Sequence, residues 1–213
     1  MESSKLAAYV ASRICHDIAS PLTPLMQSCE LLFDDSMGPA MKAEGEKSLR
    51  TAIATLEAKV RFLRFALGSQ AINDGFAQIA EAKDLFAKLF AVNSKTQLEW
   101  DVETPKITNR QMRLLMNMTL IMVDPAAKGT CKVSAREAGG QLELAVTAIG
   151  PYAQIKAEVQ DGLVGKEPQG GWGGGAIQPY FTRLLAEEMG FTLNSSVEQG
   201  RSILAATGIL SEG

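Results

Sequence analysis

Arg13-Ile14-Cys15-His16-Asp17-Ile18-Ala19-Ser20-Pro21-Leu22 is the stretch on which the reading of this chain turns. Its apolar residues Ile14 and Ile18 join Val10, Leu25 and Leu32 in a stripe spaced as one face of a helix, from about residue 5 to residue 32. At about 100° per residue, His16 falls roughly 160–200° from Ile14, Ile18, Leu25 and Leu32 and points to solvent. Arg13 and Ser20, three and four residues away, share its face, and Asp17 sits about 100° round. Pro21 offers no N–H to the carbonyl of Asp17, nor Pro24 to that of Ser20, so a bend is expected just beyond His16. His16 is also the single histidine of the chain. That excludes a multi-histidine metal site and routes any imidazole chemistry through one side chain.

Working outward, Asp34-Asp35-Ser36-Met37-Gly38-Pro39 breaks the first helix, as Gly-Pro pairs do. A second helix follows from about residue 40 to residue 67. Its apolar residues Leu49, Ile53, Leu56, Val60, Leu63 and Leu67 alternate spacings of four and three, the pattern of a bundle seam. Two long helices across a short turn make an antiparallel hairpin. A lone hairpin leaves one side of each stripe wet, so a four-helix bundle completed by homodimerisation is expected.

Gly68 to Gly75 reads as a linker between a helical domain, residues 1–70, and a second domain, residues 75–213. The second domain mixes element types. Residues 76–92 are helix-like, and Leu98, Trp100 and Val102 alternate as in a half-buried strand. Thr108 can cap a helix running to Pro125, rich in Met112, Met116, Met118 and Met122 as core filler. Val133 to Val146 make a β-hairpin about Gly139-Gly140. Ile177 to Met189 is a helix closed by Gly190, and a last hairpin turns at Glu198-Gln199-Gly200. The class predicted is α+β: a helical hairpin, then an α/β sandwich of antiparallel strands with helices on one sheet face.

Composition sets limits on function. Of 213 residues, 46% are hydrophobic and 21% charged, enough apolar matter for a core. The net charge of −3 argues against a dedicated nucleic-acid binder. The polar start Met1-Glu2-Ser3-Ser4-Lys5 is no secretory signal, and no run of eighteen apolar residues offers a membrane span. Three cysteines without C-x-x-C spacing suggest neither a disulfide framework nor a zinc site. A soluble cytoplasmic protein is expected, with no membrane or nucleic-acid partner.

The chemistry suggested by His16 is nucleophilic. A neutral, exposed imidazole near pH 7 can take a phosphoryl group on one ring nitrogen. Asp17 can accept a hydrogen bond from the other nitrogen and fix the tautomer, and Arg13 can stabilise the added charge. A solvent-facing histidine with an incidental acidic neighbour has the same spacing, so spacing alone leaves both readings open.

His16-Asp17-Ile18-Ala19-Ser20-Pro21-Leu22 resembles the H-box of two-component histidine kinases, histidine–acid–x–x–Thr/Asn–Pro–Leu, on the first of two hairpin helices. The resemblance implies that His16 is the phosphoacceptor and Asp17 the general base, with Ser20 in place of Thr or Asn. Ser20, Pro21 and Leu22 then mark the side on which a partner docks. The second half resembles the kinase ATP-binding domain with its nucleotide pocket eroded. Arg113 to Ile121 is similar to the N-box, keeping Asn117 but placing Ile121 where the magnesium-binding asparagine belongs. Val146 to Tyr152 is similar to the Asp-x-Gly-x-Gly box, with Ala148 for the adenine-reading aspartate and Tyr152 for the second glycine. Tyr152 is expected to fill space a nucleotide needs, so ATP binding is not expected. Gly171 to Gly175 echoes the lid-proximal glycines; it also meets a loose dinucleotide fingerprint, but with no preceding strand it reads as a flexible loop.

An intact H-box beside an eroded ATP pocket, over essentially the whole chain, resembles the dimeric histidine phosphotransferases of the ChpT family. Ser12 to Ile18 and Gln178-Pro179-Tyr180-Phe181 fit that pattern. The resemblance implies a phosphorelay shuttle between receiver-domain aspartates in bacterial cell-cycle signalling. The donor would be a CckA-like hybrid kinase and the acceptors CtrA- and CpdR-like regulators. No intrinsic cofactor is implied, because the receiver partner supplies Mg²⁺. Two rival readings are an autophosphorylating kinase with an unusual pocket, and a non-catalytic hairpin dimer that binds and inhibits a kinase or receiver.

Overall fold

The computed structural model describes residues 1–68, 73, 75–92, 95–104, 106–173 and 175–210. Residues 69–72 and 74 of the linker read from the sequence, and Gly174 of the glycine-rich segment, lie outside them.

Two long helices come first, α1 (Ser3–Phe33) and α2 (Pro39–Ala66). α1 runs on as helix through Pro21 and Pro24. The Ser28 hydroxyl donates to the Pro24 carbonyl at 2.7 Å, a local bond common in bent helices. Asp34 then ends α1, its carboxylate accepting from the backbone N–H and hydroxyl of Ser36 at 2.8 and 2.6 Å. Pro39, lacking an N–H, opens α2 at a position where none is needed. The residues buried where α1 meets α2 are small: Pro21, Ser28, Gly45 and Ala52. A Cβ on Gly45 would sit 3.3 Å from Cβ of Leu31, so the glycine lets the two helices approach closely. The large aliphatic row of α2 is left less covered than the bundle-seam pattern suggests. Leu49, Leu56 and Val60 are half-buried, and Ile53 is 49% exposed.

The last turns of α2 enter the core of the α/β part. Phe62 is fully buried and meets Phe86 of α3 (Ile79–Ala91) edge-on at 5.1 Å; Phe86 in turn meets Trp100 at 5.0 Å. Trp100 lies on β1 (Gln97–Val102). Then come α4 (Asn109–Met122), β2 (Thr130–Ala138), β3 (Gln141–Ile149), α5 (Ala157–Leu163), α6 (Ile177–Glu188), β4 (Thr192–Glu198) and β5 (Arg201–Ile209). The strands form one five-stranded sheet in the order β1-β2-β3-β5-β4.

Pairing is antiparallel throughout except between β1 and β2, which run parallel in register Gln97 to Thr130. The expectation of antiparallel strands fails at this pair for a physical reason. A parallel neighbour needs a crossover long enough to carry the chain back, and α4 supplies it. The Gly139-Gly140 turn is as expected, with φ of 59° and 79°, the two left-handed residues of a tight hairpin. Burial alternates along β2, β3 and β5, so one sheet face is apolar and carries the helices. The other face carries charge: Lys132 bridges Glu99 and Asp101 at 2.8 Å each. That lysine holds the Asp101 carboxyl below its usual range.

α4 is the central element. Thr108 accepts from the N–H of Gln111 at 3.2 Å while the Gln111 side chain accepts from the N–H of Thr108 at 2.9 Å, a capping box. Met112, Leu114, Leu115, Met116, Met118 and Met122 are fully buried along it. The short helix α5 was not anticipated; seven residues are too few for a helical period to stand out. Among the described residues, no helix is long and apolar enough to cross a membrane.

Candidate functional site

His16 lies midway along α1 with its side chain 79% exposed, on the side away from the hairpin contact, as its helical phase requires. Its Nδ1 is 3.4 Å from Oδ1 of Asp17, long for a hydrogen bond. Asp17 is only 17% exposed, and its other oxygen accepts from Nε of Arg13 at 2.9 Å. The structure therefore joins three of the sequence-derived residues in a line, Arg13 to Asp17 to His16. Arg13 grips the carboxylate instead of standing free beside the imidazole. The i, i+4 spacing of Arg13 and Asp17 carries that signal, and the i, i+3 relation to His16 had drawn attention from it.

One turn further on, Ser20 is exposed, Pro21 is buried against α2, and Leu22 is 38% exposed. Ser20, Pro21 and Pro24 form one wall of a shallow groove whose other wall is Lys47, Thr51 and Lys59 of α2. Apolar, hydroxyl and cationic groups thus share one groove of the hairpin, beginning one turn beyond the histidine.

The kinase-like boxes of the second half are arranged differently. Asn117 of α4 is completely buried. Its side-chain amide donates to the carbonyls of Ala66 and Arg113, both at 2.7 Å, and its oxygen accepts from Nε2 of Gln178 at 2.7 Å. Arg113 adds a bond from Nε to the Ala66 carbonyl at 3.1 Å, with its guanidinium 5.5 Å from the ring centre of Phe181. Burial pulls that guanidinium down from its ordinary pKa. The free carbonyls at the end of α2 are thus capped from α4, a favourable place for donors and positive charge. The sequence places Arg113 and Gln178 in family-like stretches but gives neither a role; a polar residue inside an apolar run is the one hint it offers, and it names no partner.

A cavity of about 590 Å³ lies beside residues of both kinase-like boxes. Ile121, Asp124, Tyr152, Glu158 and Gln178 line it, and Arg13 reaches it from α1. The expectation that Tyr152 fills this space is not met. Its ring is half exposed at the rim, with the Lys128 ammonium 5.3 Å from its centre and Nζ donating to the hydroxyl at 3.3 Å. Ala148 is fully buried in the sheet and brings no carboxylate to the cavity. Trp172 packs at a tilt against Tyr180, ring centres 4.4 Å apart, and is covered by Leu6 and Val10 of α1. Among the described residues, no three His, Cys, Asp or Glu side chains gather as a metal site.

Comparison with known proteins gives this arrangement its class. Residues 79–201 match the model of the histidine phosphotransferase C-terminal domain, more than half of the chain, and the chain belongs to that family. It is 27% identical over 191 residues to protein phosphotransferase ChpT of Brucella abortus, covering 89% of this chain and 88% of that one. The structure of a bacterial phosphotransferase superposes with a TM-score of 0.83 at 24% identity, covering 97% of each chain. The histidine kinase ThkA, solved with the response regulator protein TrrA, superposes with a TM-score of 0.54 at 12% identity, over 95% of this chain and 61% of that one. The kinase-like architecture expected from the two boxes is the architecture found.

Proposed function

We propose that this chain is a histidine phosphotransferase of a bacterial phosphorelay, carrying a phosphoryl group between receiver-domain aspartates on His16. The observation that carries the reading is the exposed imidazole on α1, 79% open to solvent with Nδ1 turned to a carboxylate, in a chain of the histidine phosphotransferase family.

With a proton on Nδ1 shared with Asp17, the lone pair lies on Nε2, the nitrogen free to meet a partner. Nε2 attacks the phosphorus of a receiver aspartyl phosphate, and a nitrogen–phosphorus bond forms. The bond from phosphorus to the aspartate oxygen breaks, its electron pair leaving with the carboxylate. The ring becomes cationic, and Asp17 stabilises the proton on Nδ1. The reverse sequence delivers the group to a second receiver. Little covalent work falls to the protein; alignment and charge carry the step. The receiver brings the Mg²⁺, and no ATP is bound.

The partners are response-regulator receivers docking over Ser20, Pro21 and Leu22, with a CckA-like hybrid kinase as donor and CtrA- and CpdR-like regulators as acceptors. A second copy of the chain covers Ile53 and the half-buried row beside it, closing a four-helix bundle. The docked complex is small and releases quickly, as a shuttle requires. The protein works in the cytoplasm.

The purified chain is tested with Mg²⁺ and labelled phosphate supplied in two ways, on a receiver aspartate or as ATP alone. Label on His16 from the receiver and none from ATP is the expected result. Label from ATP alone makes the chain a kinase, and tight receiver binding without label makes it an inhibitor.

A further inference from the structure

We propose that Arg13 is a positioning residue for the transfer: by holding one oxygen of Asp17 it aims the other at Nδ1 of His16, and so selects the ring nitrogen left free for phosphorus. This rests on the phosphotransferase reading of His16 given above.

The geometry is a relay of constraints. Arg13 Nε donates to Asp17 Oδ2 at 2.9 Å, and Oδ1 of the same carboxylate lies 3.4 Å from His16 Nδ1. A carboxylate fixed at one oxygen has little freedom left at the other. The ring, by contrast, is 79% exposed above a pair that is 27% and 17% exposed. Its orientation and tautomer have few other determinants in the free protein, since an exposed side chain otherwise samples its rotamers.

Helix stability is a poor account of this pair. An acid four residues before a base suits the helix dipole, and the reverse order is the weaker one. Both tight pairs of α2 run acid first, Glu46 to Arg50 and Glu57 to Arg61, each at 2.7 Å. On α1 the order is reversed, Arg13 before Asp17. The arginine is also confined, because it lines the same cavity as Gln178 and Pro179 of α6. A confined guanidinium loses less freedom on gripping a carboxylate than a solvated one does.

His16 is the only histidine, so isotope-labelled protein gives a single imidazole in nitrogen NMR, and its shifts report the tautomer directly. In the full chain at a pH where the ring is neutral, the expected form is Nδ1–H. Arg13→Gln is expected to drive the ring toward a mixture of tautomers, as Asp17→Asn does. It should also cut the maximal rate of phosphoryl uptake from a labelled receiver about tenfold, at little change in KM. Arg13→Lys should restore most of both. Should Arg13→Gln fail to fold, Arg13→Met keeps the stem along the cavity and is read in the same way.

Slow uptake with an unchanged ring spectrum would mean that Arg13 touches the phosphoryl group itself, and it overturns the proposal. So does an unchanged rate, or a wild-type ring with no tautomer preference. The spectra need no receiver, so a wild-type chain that takes no phosphate while keeping the Arg13-dependent ring signature defeats the function and spares the geometry.

Discussion

His16 and Asn117 both sit in kinase-like boxes on helices, yet the protein treats them in opposite ways. The histidine stands almost wholly in solvent with one long contact, to Asp17. The asparagine has no accessible surface and three bonds of 2.7 Å, to Ala66, Arg113 and Gln178. A group that must meet a partner has to stay unsatisfied, because each bond made at home is one to be broken on contact. A buried amide follows the reverse rule, since every unmet bond costs about 1–3 kcal/mol. On the proposed reading the first box is open for transfer, whereas the second ties the end of α2 to α4 and α6.

The sharpest way to break this contrast is His16→Ala. Phosphoryl uptake should disappear entirely in a labelling assay, while the thermal midpoint barely moves, since exposed substitutions stay within about 0.5 kcal/mol. Label retained on that variant places the acceptor elsewhere. Asn117→Ala should behave inversely. It takes a donor from each of two carbonyls and leaves Nε2 of Gln178 unpaired, so urea unfolding should show a loss of about 2–3 kcal/mol. Equal loss from both variants would erase the distinction.

The cysteines give the same contrast in the pH domain. Cys15, beside the histidine, is exposed, whereas Cys131 on β2 is buried and its thiol is pushed up to about 12 by that burial. Native protein should be alkylated at Cys15 and spared at Cys131. The raised thiol stabilises the fold fully below the ordinary thiol range. That contribution is lost as pH rises from there through about 12, because the unfolded chain ionises first. Rapid native labelling of Cys131 would show the sheet side to be as open as α1. The smallest effect belongs to Thr108→Ala, which removes the cap of the helix carrying Asn117. It should cost about 1 kcal/mol and leave transfer unchanged.

Much of this was legible in the amino-acid order, for identifiable reasons. A helix repeats often enough over Ser3–Phe33 for the phase of His16 to follow from its neighbours, and the phase alone turns the ring outward. Thr108, Gly139 and Gly190 likewise advertise a cap, a turn and a helix end through local chemistry. What stayed hidden depends on contacts between distant segments. Nothing along the chain says that Arg113 and Asn117 will cap a helix ending near residue 66, or that Leu6 and Val10 will lie on Trp172. The parallel strand pair was missed for the same reason: register with β2 is set by a crossover, not by β1 itself. At the site, the spacing brings Arg13 near both His16 and Asp17, and only the folded helix shows that it bonds to Asp17.

The brace around Asn117 occupies its whole side-chain amide. Both its amide hydrogens are committed, and its oxygen already takes a hydrogen from Gln178. Placing an asparagine at Ile121 and an aspartate at Ala148 would not by itself create a metal-and-nucleotide centre. Turning the oxygen of Asn117 toward an incoming cation would loosen the very junction that now fastens the end of α2 to the sheet-bearing half.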